Sequence, residues 1–525
     1  MYDVAIAGGG LCGLAIAEAL AGQGLSVVLV EARERLGGRI LTHTSAQTGL
    51  AVDLGAGWFW PHAQPLFRGL MERLGLRAFP QYDNGIVLTL GNPDLGPQQA
   101  GSDSVHGGAY RVAEGLGALI AALADRLAGT HLRLGQRLAA VRDAGDHLRL
   151  RLQTAAGDDE IEARQLVLAI PPRLVATGVA FSPPLAPAIV SGLEQTPTWM
   201  AASAKAVLCY EVGGWRDSGL SGSAFVSNER AVLAELFDAC DETGEHPALG
   251  GFLALSPDLR TDFADGLPML IANQVAQVFG PEYELGELHY LDWATEPPTC
   301  SNHDRGDPAR PQPAEADPAL REPHWDGKLH FGSSETASRE PGYMEGALDT
   351  AQRIINAVTL AAVRSAVAVV PANQAGTAQF AEWVAAQREP ALAVYERRIT
   401  HRLSTHQRGQ LTQLALLETV EAVFAAALAQ LGAIPFDTRD VPVENGRSAL
   451  MPLIQEPFRA FLGGLIEDVM RSNAGSCALS NFPGEHKPSH EYEQVILRDI
   501  AAAWTEFSKA ANALLLAAAN SEGGC

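Results

Sequence analysis

A chain of 525 residues can bury more than one hydrophobic core, and 47% hydrophobic with 19% charged residues is ordinary globular composition. The formal net charge of −23 argues against nucleic acid or an anionic membrane as a partner. Six scattered cysteines (Cys12, Cys209, Cys240, Cys300, Cys477 and Cys525) show no CxxC or Cys/His metal spacing, which points to free thiols in a reducing, cytoplasmic compartment and to no bound metal. With the first strand beginning at Tyr2, no signal peptide is expected. No uninterrupted apolar stretch reads as long enough to cross a membrane; the nearest, residues 357–370, is broken by Arg364.

Residues 2–7 form a short apolar run suited to a buried parallel strand, and residues 14–21 have the composition and spacing of a helix. Gly8, Gly10 and Gly13 fall in the turn between them, where a dinucleotide pyrophosphate is expected. Gly8 permits the tight turn and Gly10 lets the backbone approach the phosphates; Gly13 lets the helix pack close while its N-terminal N–H groups face the anion. A second strand, residues 26–30, ends at Glu31, whose carboxylate suits a ribose hydroxyl and would repel a 2′-phosphate. These residues select an adenine dinucleotide without separating FAD from NAD. Next, Gly37 and Gly38 leave no side chain in the way and Arg39 offers a fork of donors to phosphate oxygens; a solvated surface turn is the alternative. Trp58, Phe59 and Trp60 form an aromatic cluster that can be plain core.

Residues 84–108 are rich in Gly, Pro, Asp and Gln, residues 110–127 read as a helix, and residues 132–138, 148–152 and 161–172 as strands. Residues 202–210 form a strand carrying one lysine, Lys205, among apolar neighbours. A buried lysine is costly without a partner, and an edge-strand lysine facing water is the other reading. From Pro371 onward the chain becomes Ala/Leu/Glu-rich, with helical spacing at residues 379–387, 410–431, 457–471 and 492–518. His401, His406 and His490 lie near glutamates there without Glu-x-x-His spacing.

The motif at residues 8–13 is joined by a distant one, Gly332-Ser333-Ser334-Glu335-Thr336-Ala337 leading into Gly342-Tyr343-Met344-Glu345-Gly346-Ala347. In this order and at this separation the two resemble the FAD-dependent amine oxidase family, the monoamine and polyamine oxidase group. The resemblance implies an α/β fold: a Rossmann-like FAD-binding domain and a mixed-sheet substrate domain, here followed by an all-α C-terminal region. FAD-binding segments then fall at 1–80, 131–180 and 296–370, a short insertion with a helix at 81–130, the substrate domain at 181–295 and the helical region at 371–525. It implies that Gly38 and Arg39, with Arg33 nearby, wrap the pyrophosphate, and that Ala56, Gly57 and Trp58 pass close to the isoalloxazine ring. The backbone at Leu138 would hold the adenine, Ser334 and Glu335 the ribityl-phosphate region. Beside Gly342, Met344 would donate its N–H to the pyrimidine edge at the start of a helix whose dipole stabilises reduced flavin. Lys205 matches the lysine that bonds a water bridging to flavin N5. Trp293 and Tyr343 match the aromatic walls that hold the amine there, so these three are the catalytic candidates.

Departures from the family pattern carry their own expectations. Cys300 is out of register with the cysteine of covalently flavinylated members, so FAD is expected to be non-covalent. A cage tyrosine falls at about His303 and a tryptophan is replaced by Glu340, which points to a more polar or doubly charged substrate. Only residues 81–107 are available for a helical insertion that usually takes about a hundred residues. Residues 371–519 are therefore expected to cover the substrate side; a free-standing module on a linker at 371–376 is the competing arrangement.

The leading function is an FAD-dependent oxidase of a primary or secondary amine: hydride transfer to flavin N5, imine hydrolysis, and reoxidation by O2 to hydrogen peroxide. An FAD desaturase, dehydrogenase or amino-acid oxidase acting on another substrate is the alternative, and a binding or assembly role with a decayed flavin site the third. Homo-oligomerisation is compatible with all three.

Overall fold

Parallel pairing of Tyr2–Ala7 with Val27–Val30 on one side and Gly157–Leu168 on the other makes the centre of an eight-stranded sheet. Tyr2–Ala7 and Val27–Val30 are covered on both faces over most of their length, which is why they read as continuous apolar runs rather than alternating ones. The sheet continues through Thr130–Arg133 at one end and Leu148–Thr154, Arg137–Asp143 and Ala180–Ser182 at the other, with Leu329–Phe331 pairing in parallel to Gly157–Leu168. This computed structural model describes residues 1–307, 312–367, 371–404, 410–437, 441, 443–444, 446–480 and 482–521. The chain divides into two units, Met1–Ala357 and Val358–Cys525.

The second sheet of the first unit has seven strands. Their order is Glu287–Asp292, Ala204–Cys209, Ala248–Leu253, Leu233–Asp238, Leu220–Val226, Ile86–Leu90 and Gln98–Gly101. All neighbours are antiparallel except Leu220–Val226 with Ile86–Leu90. The Gly/Pro-rich stretch at residues 84–108 thus supplies two strands to the substrate sheet. Lys205 is on an internal strand, opposite Phe252 and Leu291, and all six residues of that strand are buried. The water-facing edge-strand reading of Lys205 is overturned.

Two expected elements divide. Residues 110–127 are a strand, Tyr110–Val112, and a helix, Gly117–Ala124. The amide and carbonyl of Tyr110 both pair with Phe59, and this tertiary pairing outweighs local helix preference. Residues 132–138 fall into two strands separated at Gly135, whose φ of +64° ends the extended run. The helix Pro65–Leu74 has no side-chain cap of its own; Glu345 closes its N-terminus, accepting from the N–H groups of Leu66 (3.0 Å) and Phe67 (2.8 Å).

The second unit is helical. Its long helices are Pro371–Ala386, Arg388–Ser404, Leu411–Ala433, Met451–Gly475 and His490–Ser521. Residues 371–376, offered as a linker, are the first turns of one of them. Phe380, Tyr395, Leu416, Val420, Phe424, Phe458 and Phe507 meet in one core. A buried polar network crosses it: Tyr395 Oη donates to Asn473 Oδ1 (2.7 Å) and Asn473 Nδ2 to Thr412 Oγ1 (2.8 Å). The Glu485 carboxylate accepts from the N–H groups of Leu411 (2.8 Å) and Thr412 (2.9 Å), closing that helix's N-terminus. By length and composition Leu411–Ala433 is apolar enough to cross a membrane, which corrects the expectation that the chain has no such stretch. Leu411, Ala415, Leu416, Val420, Phe424, Ala427 and Leu431 of this helix are buried in the helical core.

Candidate active site

The C-terminal ends of the parallel strands open into a cavity of about 650 Å³ within the first unit. One part of its wall comes from the nucleotide-binding residues, Gly8, Gly10, Glu31, Arg33, Gly38, Arg39 and Leu138. Another comes from Ala56, Gly57, Trp58, Lys205, Trp293, Ser334, Gly342, Tyr343 and Met344. Residues more than 300 positions apart in sequence, such as Gly8 and Met344, thus line a single space, as the motif pair implies.

The nucleotide wall fits an adenine dinucleotide. Gly8 has φ +112°, and a Cβ there would stand 2.2 Å from the Ala169 carbonyl oxygen; a Cβ on Gly13 would stand 2.0 Å from the Gly8 carbonyl oxygen. These two positions require glycine for packing. Gly10 differs, since its Cβ would meet nothing nearer than Gly38 Cα at 4.0 Å, so its missing side chain leaves room for a ligand. The helix Leu11–Gly22 begins here without a side-chain cap, leaving its first N–H groups for an anion. Gln136 Oε1 and Ser333 Oγ are buried polar atoms without a protein partner, and both residues line the cavity. Sequence reasoning missed both, because a single polar residue in a loop carries no periodic signal.

Several expected ligands are held by one another. Glu31 is buried and accepts from the N–H groups of Gly9 (2.7 Å) and Arg33 (2.8 Å), which fixes its carboxylate at the strand end. Arg33 pairs with Glu296 (2.9 Å) and donates to Thr299 Oγ1 (2.7 Å). Arg39 lines the cavity, yet its fork is engaged with Glu335 (2.7 and 3.1 Å), Ser334 Oγ (3.0 Å) and the Trp199 carbonyl (2.9 Å). Glu335 lies behind it, outside the cavity wall, and also accepts from the Trp199 N–H (3.2 Å). Burial alone would raise the Glu335 pKa, but the Arg39 charge and hydrogen bonds hold it below the usual carboxylate range. Arg39 and Glu335 therefore act as one partly buried ion pair that shapes the wall, with the buried Glu335 as the support of Arg39.

Lys205 is 3% exposed and lines the cavity beside Gly57. Its Nζ donates to the Gly55 carbonyl (3.2 Å) and lies 5.2, 5.3 and 5.7 Å from the ring centres of Trp58, Phe237 and Phe252. Burial lowers its pKa to about 8, against the opposing charges of Asp53 and Glu235 and with the help of Arg111. Trp58 is both core and site: it borders the cavity, donates to Gln81 Oε1 (2.8 Å), and stacks on His106 with ring centres 4.7 Å apart. Trp293 is buried and donates from Nε1 to the Leu54 carbonyl (3.1 Å), which fixes the edge of its ring against the Gly55 turn.

Tyr343 has an unexpected aromatic partner. Trp199 also lines the cavity, with ring centres 6.2 Å apart and planes inclined by 48°. Gly342 makes room for it, since a Cβ there would meet the Trp199 Cβ at 2.7 Å. His303 and Glu340 are both exposed and neither lines the cavity, so the cage partner is not at His303 and the carboxylate of Glu340 is not in the wall. Cys300 is also outside it; its thiol contacts the Ser301 carbonyl and burial pushes its pKa up to about 11. Among the described residues no group of three or more His, Cys, Asp and Glu side chains is placed to hold a metal ion, and His406 lies outside the described residues.

The family model for flavin-containing amine oxidoreductases matches residues 11–97 and 95–358. The chain belongs to this family. This family member is 23% identical over 450 residues to a flavin-containing amine oxidase of Danio rerio, an alignment spanning 67% of this chain and 84% of that one. It is 23% identical over 462 residues to amine oxidase A of Equus caballus, spanning 68% and 86%. Its fold is shared with a putrescine oxidase solved with putrescine bound (22% identity, TM-score 0.55, 67% of this chain and 98% of that one). It is shared too with cyclohexylamine oxidase from Brevibacterium oxydans IH-35A (19%, TM-score 0.54, 68% and 98%). The protein is a flavin-dependent enzyme that acts on amines, with FAD as its cofactor.

Proposed function

We propose that this family member oxidises a primary or secondary amine with an apolar body, using non-covalently held FAD and dioxygen. The observation that carries this reading is Lys205, a lysine on an internal strand that lines the same cavity as Gly10, Trp293 and Tyr343. FAD, when bound, supplies the electron acceptor and passes two electrons on to O2, so that amine, water and O2 give a carbonyl compound, ammonia or a smaller amine, and hydrogen peroxide.

The chain's own residues do the rest. Trp199 and Tyr343, packed against each other, offer one aromatic wall against which an apolar amine can be oriented and water excluded. Lys205 has three donors and spends one on Gly55, leaving donors for a water in the cavity. Met344 begins the Met344–Val367 helix, whose N-terminal dipole favours negative charge beside it. Cys300, out of the cavity with a raised pKa, is unsuited to a covalent flavin link.

Lys205→Met tests the reading. The variant should keep FAD while slowing anaerobic flavin reduction, reoxidation, or both by about a hundredfold or more, the scale of losing one positioned donor. Wild-type rates in both half-reactions would remove Lys205 from the site. An amine panel followed by oxygen consumption separates an oxidase from a dehydrogenase, and flavin left on acid-precipitated protein would refute non-covalent binding.

A further inference from the structure

Lys205 borders a second, small space. It holds about 10 Å³, roughly the room for one water. Besides Lys205 and the aromatic rings of Trp58 and Phe237, its wall includes two charged side chains that the chemistry so far leaves unused, Asp53 and Arg111. Asp53 is buried on the short Ala51–Asp53 strand. Its Oδ1 accepts from Thr42 Oγ1 and from the Leu116 N–H (3.0 Å), while Oδ2 takes no part in those bonds. Arg111 is anchored by the carbonyls of Cys240 (2.5 Å) and Ala239 (3.2 Å).

The groups that act electrostatically on Lys205 are Asp53, Arg111 and Glu235. Glu235 is partly solvated and meets His106 Nε2 at 3.1 Å, so water and that imidazole weaken its hold. Asp53 is the buried carboxylate: burial raises its pKa, the Thr42 hydrogen bond and the charges of Lys205 and Arg111 oppose that rise, and the charge it carries acts strongly in these low-dielectric surroundings. Lys205 has three N–H donors and one protein acceptor, Gly55 O. A second donor can serve the large cavity and the third the small space shared with Asp53.

We propose that Asp53 is a positioning residue for amine oxidation, holding the charge and direction of the Lys205 ammonium through one internal water, with Arg111 opposing it. The proposal rests on the reading of Lys205 as the group beside the flavin ring. Asp53 touches neither substrate nor flavin; it acts through Lys205. Removing its charge destabilises the ammonium, and removing the charge of Arg111 stabilises it, so the two substitutions act with opposite sign. A purely structural role for either residue has no such sign.

The test is the reduction potential of the FAD-bound enzyme, followed spectroscopically from about pH 6 to 10. In the wild type the trace should bend near pH 8, where Lys205 titrates, and the bend should vanish in Lys205→Met. Asp53→Asn should move the bend down by about one pH unit or more, and Arg111→Gln should move it up. If Asp53→Asn does not retain flavin, Arg111→Gln decides alone. A wild-type trace without a Lys205-dependent bend overturns the proposal together with the placement of Lys205. A bend that vanishes in Lys205→Met but stays fixed in both other variants, or moves the same way in both, overturns the role of Asp53 and leaves Lys205 in place.

Discussion

The two units of this chain answer to different kinds of constraint. In residues 1–357 single atoms decide: a Cβ at Gly13 would overlap a carbonyl, Arg39 and Glu335 must meet as a bidentate pair, and Lys205 must find acceptors inside a sheet. In residues 358–525, apart from the polar network around Asn473, volume decides, since Phe380, Phe424, Phe458 and Phe507 fill one core that many other apolar sets could fill as well. A backbone that must admit a ligand leaves a residue-by-residue trace in the sequence. A helical core leaves only a period.

The strongest way to break that contrast is Gly13→Ala. One methyl group 2.0 Å from the Gly8 carbonyl oxygen forces helix and strand apart, and the purified variant should lose nearly all of its flavin absorbance per protein. Retention of wild-type flavin content would show that the turn tolerates what its geometry forbids. Next in size is deletion of everything after Val370, which asks whether volume-determined helices matter to chemistry. The sequence expectation is a protein that is poorly soluble, or that binds FAD but turns over no amine; full activity would place the whole substrate cavity in residues 1–370.

The smallest effect is a pH dependence of stability. Burial holds Lys205 at about 8 in the fold, against 10.5 for an unconstrained lysine. Between these values the unfolded chain binds a proton that the folded chain does not, so raising pH across the window favours folding, and below about 8 the penalty is full and constant. Lys205→Met lacks this penalty. Its advantage in melting temperature over the wild type should therefore narrow as pH rises from 8 to 10.5, and a constant difference would mean that Lys205 is not buried as a strained cation.

Much of the nucleotide wall was legible because Gly8, Gly10 and Gly13 fall where the first strand turns into the helix and Glu31 ends the second strand, and the fold repeats that spacing. Lys205 was legible by contrast, one charge in an apolar strand. Trp199 was not, since a lone tryptophan after Thr196, Pro197 and Thr198 has no pattern to mark it as the partner of Tyr343. Residues 84–108 hid two strands because turn-forming residues dominate their composition, while the pairing that makes Ile86–Leu90 a strand comes from Leu220–Val226, distant in sequence. The helix Arg388–Ser404 lies in the region expected to be helical; Arg397, Arg398 and Arg402 dilute its apolar period, although Tyr395 and Ile399 are buried.

The two borrowed helix caps bear on how the chain comes off the ribosome. Phe67 waits for a carboxylate made 278 residues later, and Leu411 for one made 74 residues later. Until Glu345 has been synthesised, the first turn of Pro65–Leu74 can satisfy its amides only with water, and the same holds for Leu411–Ala433 until Glu485 emerges. In each unit one helix thus reaches its full stability only when a later segment arrives, a difference of about 1 kcal/mol per cap.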